Sequence, residues 1–297
     1  MLARKSIPEQ LFDASLYVFL SLVFVATFYP FWNIFVISLN DATDTLKGGL
    51  YFWPRMPTLE SYMTIFRNPE IWSAIRVTVL RTIAGTAVSV FFISMLAYAL
   101  SKRSLLGWKY FSFFFVFTMY FAGGLIPTYM VIKSVGLIDS FWVYIFPGAI
   151  NVFLMILVRT FMEQIPVEIE ESAKIDGAHD LQIFFRIMLP LCVPALATIG
   201  LFLAIGHWNS WYDSYVYTYK PELKTLQAVL VKILNQFQTA SMMSDAQQLS
   251  QSSKRLPVSS ESIRMAVNMV ATLPIILVYP FVQKYFVKGI MMGAIKS

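Results

Sequence analysis

Residues Glu170 to Pro190 read EESAKIDGAHDLQIFFRIMLP, and the order is tightly patterned. Glu171-Ser172-Ala173 is followed by three residues, Gly177, nine residues, Ile187, one residue, and Leu189-Pro190. Glu168, Glu170 and Glu171 offer carboxylates that can hydrogen-bond an Arg or Lys of a partner. That chemistry is recognition, not bond-making. His179 and His207 stand outside any HExxH setting, and neither a nucleophile elbow nor a Walker A pattern occurs. The single Cys192 excludes an internal disulfide and a cysteine-ligated metal cluster. An intramembrane enzyme finds little support, and no catalytic residue or metal site is expected.

A short helix, a sharp turn and a second short helix would present this segment. Pro166 suits a first helical turn, where its missing N–H is no loss. The glutamates then fall in the early turns, favoured by the helix dipole. Ser172 and Ala173 are small enough for close approach. Gly177 fits the left-handed position that ends a helix. Asp180 can cap a second helix over 181–189, and Pro190 and Pro194 open the next span. An ordinary amphipathic connector would carry the same helix signals.

A second constellation is His207–Tyr219, HWNSWYDSYVYTY. Indole faces stack on sugar rings, and Asn209 can hydrogen-bond hydroxyls, so Trp208, Asn209 and Trp211 are candidates for a substrate pathway. An aromatic belt at the membrane surface accounts for Trp211 and the tyrosines equally. Gly123, Gly124 and Pro127 lie within an apolar span and mark a kink with close packing, or a gating hinge. Arg76 and Arg81 enter the end of another span, where they are expected to snorkel to its boundary.

The background to these motifs is a membrane chain. Hydrophobic residues make up 57% of it and charged residues 13%, with a mean hydropathy of +0.63. Soluble domains run about 45–50% apolar and about 25% charged. The net charge of +6 is small for 297 residues and does not suggest nucleic acid. Charge-free runs over Ala14–Asn40, Thr82–Ser101, Tyr110–Ile132, Ser140–Val158, Ile187–Tyr212 and Met265–Gln283 predict six spanning helices, the second starting near Ile71. The first run is too long for a cleaved signal peptide. Six spans put both termini on one side. With termini inside, the inner segments carry eleven of the 23 Lys and Arg, which leaves the positive-inside rule nearly neutral. Unopposed clusters at Lys102, Arg103 and Lys109, and at Lys284, Lys288 and Lys296, favour termini inside. Between the last two spans, Leu226, Val229, Leu230, Ile233, Leu234 and Phe237 recur at helical spacing, in the interface or under a docked protein. A polar Ser/Gln-rich stretch over 239–262 follows, a mobile excursion or a docking loop.

The patterned segment resembles the EAA motif of ABC-importer permeases: Glu-Ala-Ala, three residues, Gly, nine residues, Ile, any residue, Leu-Pro. Ser172 stands where Ala is usual, one small residue for another. Ile165-Pro166, Glu168 to Glu171 and Ile175-Asp176-Gly177-Ala178 are similar to carbohydrate-uptake permeases in particular. Further matches are Ala97-Tyr98-Ala99-Leu100-Ser101, Gly123 to Tyr129, Gly206 to Trp211, Tyr279 to Phe286 and Gly293-Ala294-Ile295-Lys296. Together they look like the LplC/YtcP-type subgroup, equivalent to the second permease of maltose-type importers.

The resemblance implies an all-α integral membrane protein of six transmembrane helices with the type I ABC importer (MetI-like) permease fold. Residues 1–70 would form a cytoplasmic segment, the first helix and an external loop. Residues 71–288 would form the permease domain, with the EAA coupling loop at 163–190, and 289–297 a cytoplasmic tail. In the family that loop seats in an ATPase cleft, which implies coupling roles for Glu170, Glu171, Ser172, Ala173, Asp176, Gly177 and Ala178. The implied partners are a second permease, a homodimeric ATPase that binds ATP and Mg, and an extracellular solute-binding protein. No cofactor is implied in this chain. The implied location is the bacterial inner or plasma membrane, both termini cytoplasmic. The implied cargo is an oligosaccharide, with a peptide or other solute as the alternative. One permease of the pair can hold most of the substrate contacts.

Overall fold

The computed structural model describes residues 6–248 and 259–294, with side chains over 6–237 and 259–280. Among the described residues every regular element is helical, apart from one bridge between Asn40 and Pro57. Ile295, Lys296 and the end of the expected tail lie outside them, as does 249–258 of the Ser/Gln-rich stretch. The chain divides into two compact units, Met1–Asn68 with Lys232–Thr272, and Pro69–Val231 with Leu273–Ser297.

In the first unit, α1 spans Ile7–Ser38. The Glu9 carboxylate accepts from the Ser6 N–H at 2.8 Å and starts it. None of the most apolar stretch of α1 is buried within the chain, as suits a helix whose solvent is lipid. A short ordered loop follows. There Asn40 donates to the Asp44 carboxylate at 3.1 Å and accepts from the Met56 N–H at 2.8 Å.

The second unit is built on α2, Glu70–Ser101, an unbroken helix of 32 residues. The next helices are α3 (Trp108–Tyr120), α4 (Leu125–Ser134), α5 (Val152–Met162), α6 (Val167–Ile175) and α7 (Val193–Asn209). Then come α8 (Leu226–Gln248) and α9 (Ser260–Ala294), each of which runs across a boundary between the units. α2 packs on α5 and α7. Ile93, Ala97 and Leu100 of α2 meet Met155 and Val158 of α5 and Ile199 of α7 in one buried cluster.

Three of the expected spans take another form. The Tyr110–Ile132 span is two helices, α3 and α4, bent by 119°. Phe121 turns extended, and Gly124 adopts φ +86 and ψ 179, a conformation open to glycine. The Ser140–Val158 span is a 3-10 turn, Phe141–Tyr144, followed after Pro147-Gly148 by α5, whose 11 residues fall short of a crossing. Asn151 starts α5 by accepting from the Leu154 N–H at 3.1 Å. The Ile187–Tyr212 span begins six residues later, at Val193, after a bend of 79°. Among the described residues, α1, α2 and Ser260–Pro280 of α9 are long and apolar enough to cross a membrane, or five segments if each bent pair is one span. The apolar face of α8 is covered within the chain: Leu226, Val229, Leu230 and Ile233 are all buried.

Candidate functional site: the patterned loop and the Arg81 cluster

α6 carries the first half of the patterned loop. Its end has both bonds of a Schellman closure. The Gly177 N–H donates to Lys174 O at 3.0 Å, and the Ala178 N–H to Ala173 O at 2.9 Å. Gly177 has φ +82, as its place after the helix requires. The second half departs from expectation at its start. Its cap is His179, whose ring accepts from the Gln182 N–H at 3.3 Å while Gln182 Oε1 accepts from the His179 N–H at 3.2 Å. Asp180 is already the first helical residue, of a turn that runs only to Ile183 before a wider π-type turn over Phe184–Met188. Pro190 has no N–H to give a regular ladder there.

The loop sorts its residues by face. Glu171, Ser172, Asp176 and Gly177 are exposed, and Ile175 is exposed to 86%. Ala173 and Ala178 pack against the buried cluster around α2, α5 and α7. Glu170 turns the same way. It is 8% exposed, and both its carboxylate oxygens accept from the Lys102 ammonium. Of the seven residues expected to serve a partner, the structure therefore turns four outward and three inward. Lys174 lies 3.3 Å from Asp180, joining the two halves across the glycine turn.

Farther along α2 stands a second set of polar groups. Arg81 is 3% exposed and does not snorkel. Its guanidinium donates to both Asp213 carboxylate oxygens and, at 3.2 Å, to Ser210 O. It also lies 4.7 Å from the centre of the Tyr144 ring. Asp213 accepts in addition from the Ser210 hydroxyl and the Ser214 N–H, each at 2.9 Å. A charge buried with a partner and further hydrogen bonds is tolerable; one left alone is not. His207 packs onto Gly85 so closely that a Cβ there would lie 2.6 Å from the ring. These groups border a cavity of about 740 Å3 that Asn151 and Tyr217 also line. Asp139, at φ 55, accepts from the Tyr219 and Lys220 N–H groups, which hold its carboxyl below the ordinary value.

The expected pathway residues are not gathered in that cavity. Trp208 is half-buried in a separate apolar groove with Thr82, Pro274 and Tyr279, while Asn209 and Trp211 are exposed. Arg76 is exposed, as expected. Asp213, Tyr144 and Lys102 were not singled out as site residues in the sequence. An arginine within a span needs a partner or water, and Asp213 is the only acid of His207–Tyr219; nothing in the sequence tied Lys102 to Glu170 or Tyr144 to Arg81.

Fold and loop define a class: an all-helical membrane protein, among its described residues, whose one patterned loop is held by its own chain yet keeps Glu171, Ile175 and Asp176 exposed. No protein-family model matches the chain. It is 40% identical over 289 residues to the polygalacturonan/rhamnogalacturonan transport system permease protein YtcP of Bacillus subtilis (strain 168), covering 97% of this chain and 99% of that one. It is 38% identical to protein LplC of the same organism, covering 97% and 96%. Among solved structures, a chain of a bacterial ABC transporter involved in import of the acidic polysaccharide alginate superposes with a TM-score of 0.82 at 32% identity, covering 95% and 99%. The chain belongs to the permease family of ABC importers. It is therefore a membrane transport subunit and not a catalytic one.

Proposed function

We propose that this chain forms half of the translocation pathway of an ATP-driven oligosaccharide importer and takes its drive through loop 163–190. The observation that carries the coupling role is the exposed face of α6. Ile175, at 86% exposure, sits with Glu171, Ser172 and Asp176 on a loop anchored at both ends. A large apolar side chain among acids on an ordered element fits a partner groove that also offers Arg or Lys. The partner is the ATPase homodimer, which binds ATP and Mg. Gly177 sets the angle between the loop halves, and Glu170, Ala173 and Ala178 hold the loop from inside. The remaining partners are a second permease and an extracellular solute-binding protein. A second, more distant match supports the latter. That chain has 13% identity and a TM-score of 0.51, and belongs to an alginate ABC transporter in complex with an alginate pentasaccharide-bound periplasmic protein.

The proposed topology has six crossings with both termini cytoplasmic, α5 and the turn before it completing one of them. Residues 1–70 lead into a type-1 permease domain over 71–288, and 289–297 form the tail. Sugar contacts are proposed at Asn209 and Trp211, which are exposed, with the half-buried Trp208 next to them in sequence, and with the 740 Å3 cavity beside His207, a mainly apolar space with a few polar groups, nearby. The cargo is read from relatives named for saccharides: polygalacturonan/rhamnogalacturonan, arabinooligosaccharides and galactooligosaccharides. None of these names favours a peptide. The test is uptake by the whole complex in proteoliposomes of labelled oligogalacturonates, alginate oligomers, neutral galactooligosaccharides and a peptide mixture. Uptake of a saccharide that needs both ATP and the binding protein is expected. Uptake of the peptides alone would overturn the cargo reading.

A further inference from the structure

Two contacts join the patterned loop to one end of α2. Glu170, in the first half of the loop, receives the Lys102 ammonium on both carboxylate oxygens. Phe184, in the second half, is fully buried and lies 5.3 Å, centre to centre, from the Tyr98 ring. The two contacts are themselves joined, because the Lys102 ammonium sits 4.6 Å from the centre of that same Tyr98 ring. Both halves of the loop thus hold the last turn of α2 through adjacent side chains. α2 is unbroken over 32 residues, roughly 48 Å at helical rise. Arg81, about 30 Å along that axis from Lys102, ties it to Asp213 in the stretch that follows α7.

We infer that Lys102 and Glu170 are positioning residues that hand movement of the loop to α2. Glu170 is then a link within the permease, and Glu171 beside it is the partner contact. The chemistry suits the task. A paired ammonium and carboxylate, set beside the Phe184–Tyr98 ring contact, tie the loop to α2 at two adjacent points. A pair at the rim, neither fully dry nor fully wet, can also re-form at each turnover without a large desolvation cost. The inference rests on the coupling role proposed for the loop, and its test separates the two.

The experiment uses the whole complex in nanodiscs, with an environment-sensitive fluorophore on Arg76→Cys near the far end of α2. Cys192 is fully buried, so within this chain the label reports the introduced thiol. The probe is ATP, added to a complex whose ATPase binds but does not hydrolyse it. In the otherwise unaltered permease ATP changes the emission. Glu170→Gln and Lys102→Gln should each keep the ATPase bound and cut that change about fivefold, the lower end of ordinary coupling energies. The exchanged pair Lys102→Glu with Glu170→Lys should recover most of it, which a merely structural role would not require. Three outcomes overturn the link: a full ATP response in Glu170→Gln, no recovery in the exchanged pair, or loss of the ATPase from Glu170→Gln. No ATP response in the unaltered permease, with the ATPase still bound after Glu171→Lys, would instead overturn the coupling role itself.

Discussion

The patterned loop and the Arg81 cluster both place ionised groups against α2, and they treat charge in opposite ways. At the cluster every charge is spent inside the chain: Arg81 on Asp213, Ser210 and Tyr144, Asp213 on Arg81 and two further donors. At the loop Glu170 is spent on Lys102, Glu163 on Arg159 and Asp180 on Lys174, while Glu171, Asp176 and the apolar Ile175 stay exposed. The cluster therefore reads as a fixed joint and the loop as a joint awaiting a second body. Changes at the first should cost stability; changes at the outward face of the second should cost transport.

The largest expected effect is at the cluster. Asp213→Leu strands the buried Arg81 guanidinium and should destabilise by about 3–5 kcal/mol, while Arg81→Met strands the half-buried Asp213 and should cost less. The double variant removes both charges and should regain most of that loss. Thermal unfolding of the detergent-solubilised complex measures it, and equal losses in single and double variants would break the idea of a paired joint. Next is Gly85→Ala, whose Cβ would meet the His207 ring at 2.6 Å. Overpacking there should cost about 1–3 kcal/mol and be relieved when His207→Ala is added.

Gly177→Val lies on the other side of the comparison. Nothing stands within 4 Å of a Cβ at Gly177, so the cost is strain at positive φ, about 1–2 kcal/mol. Unfolding should shift little, while ATP-driven uptake is lost because the loop halves change angle. The smallest effect is at Asp139. Two backbone N–H groups lower its carboxyl pKa, so its contribution is present above the ordinary carboxylate value and fades as pH falls through the lowered one. Asp139→Asn should unfold earlier than the parent at pH 7, and the two should converge below about pH 4 in a pH series of melting curves.

The extent of α2 was legible because a charge-free run from Thr82 to Ser101 continues a helical pattern back to Ile71. Gly177 was legible too, since few other residues suit the turn it makes. Faces within α6 were harder. Polarity alone would turn Glu170 out and Ile175 in, and the structure does the reverse because Lys102, 68 residues earlier, reaches Glu170. The Arg81–Asp213 pair spans 132 residues, and the sequence pointed Arg81 to the membrane boundary instead of to that carboxylate. Gly123-Gly124 announced a break between α3 and α4, but its 119° depends on Phe121 turning extended, which composition does not prescribe. His179 displaced Asp180 as a cap through a ring nitrogen that happens to face Gln182.

The central claim is that the outward face of the loop binds the ATPase. The most direct measurement is the amount of ATPase that copurifies with the permease pair carrying Glu171→Lys, set against the parent and against Ser172→Ala. Charge reversal should remove most of the ATPase while the permease pair remains folded, and Ser172→Ala should retain it in full. Full retention of the ATPase by Glu171→Lys, together with normal uptake, would contradict the account.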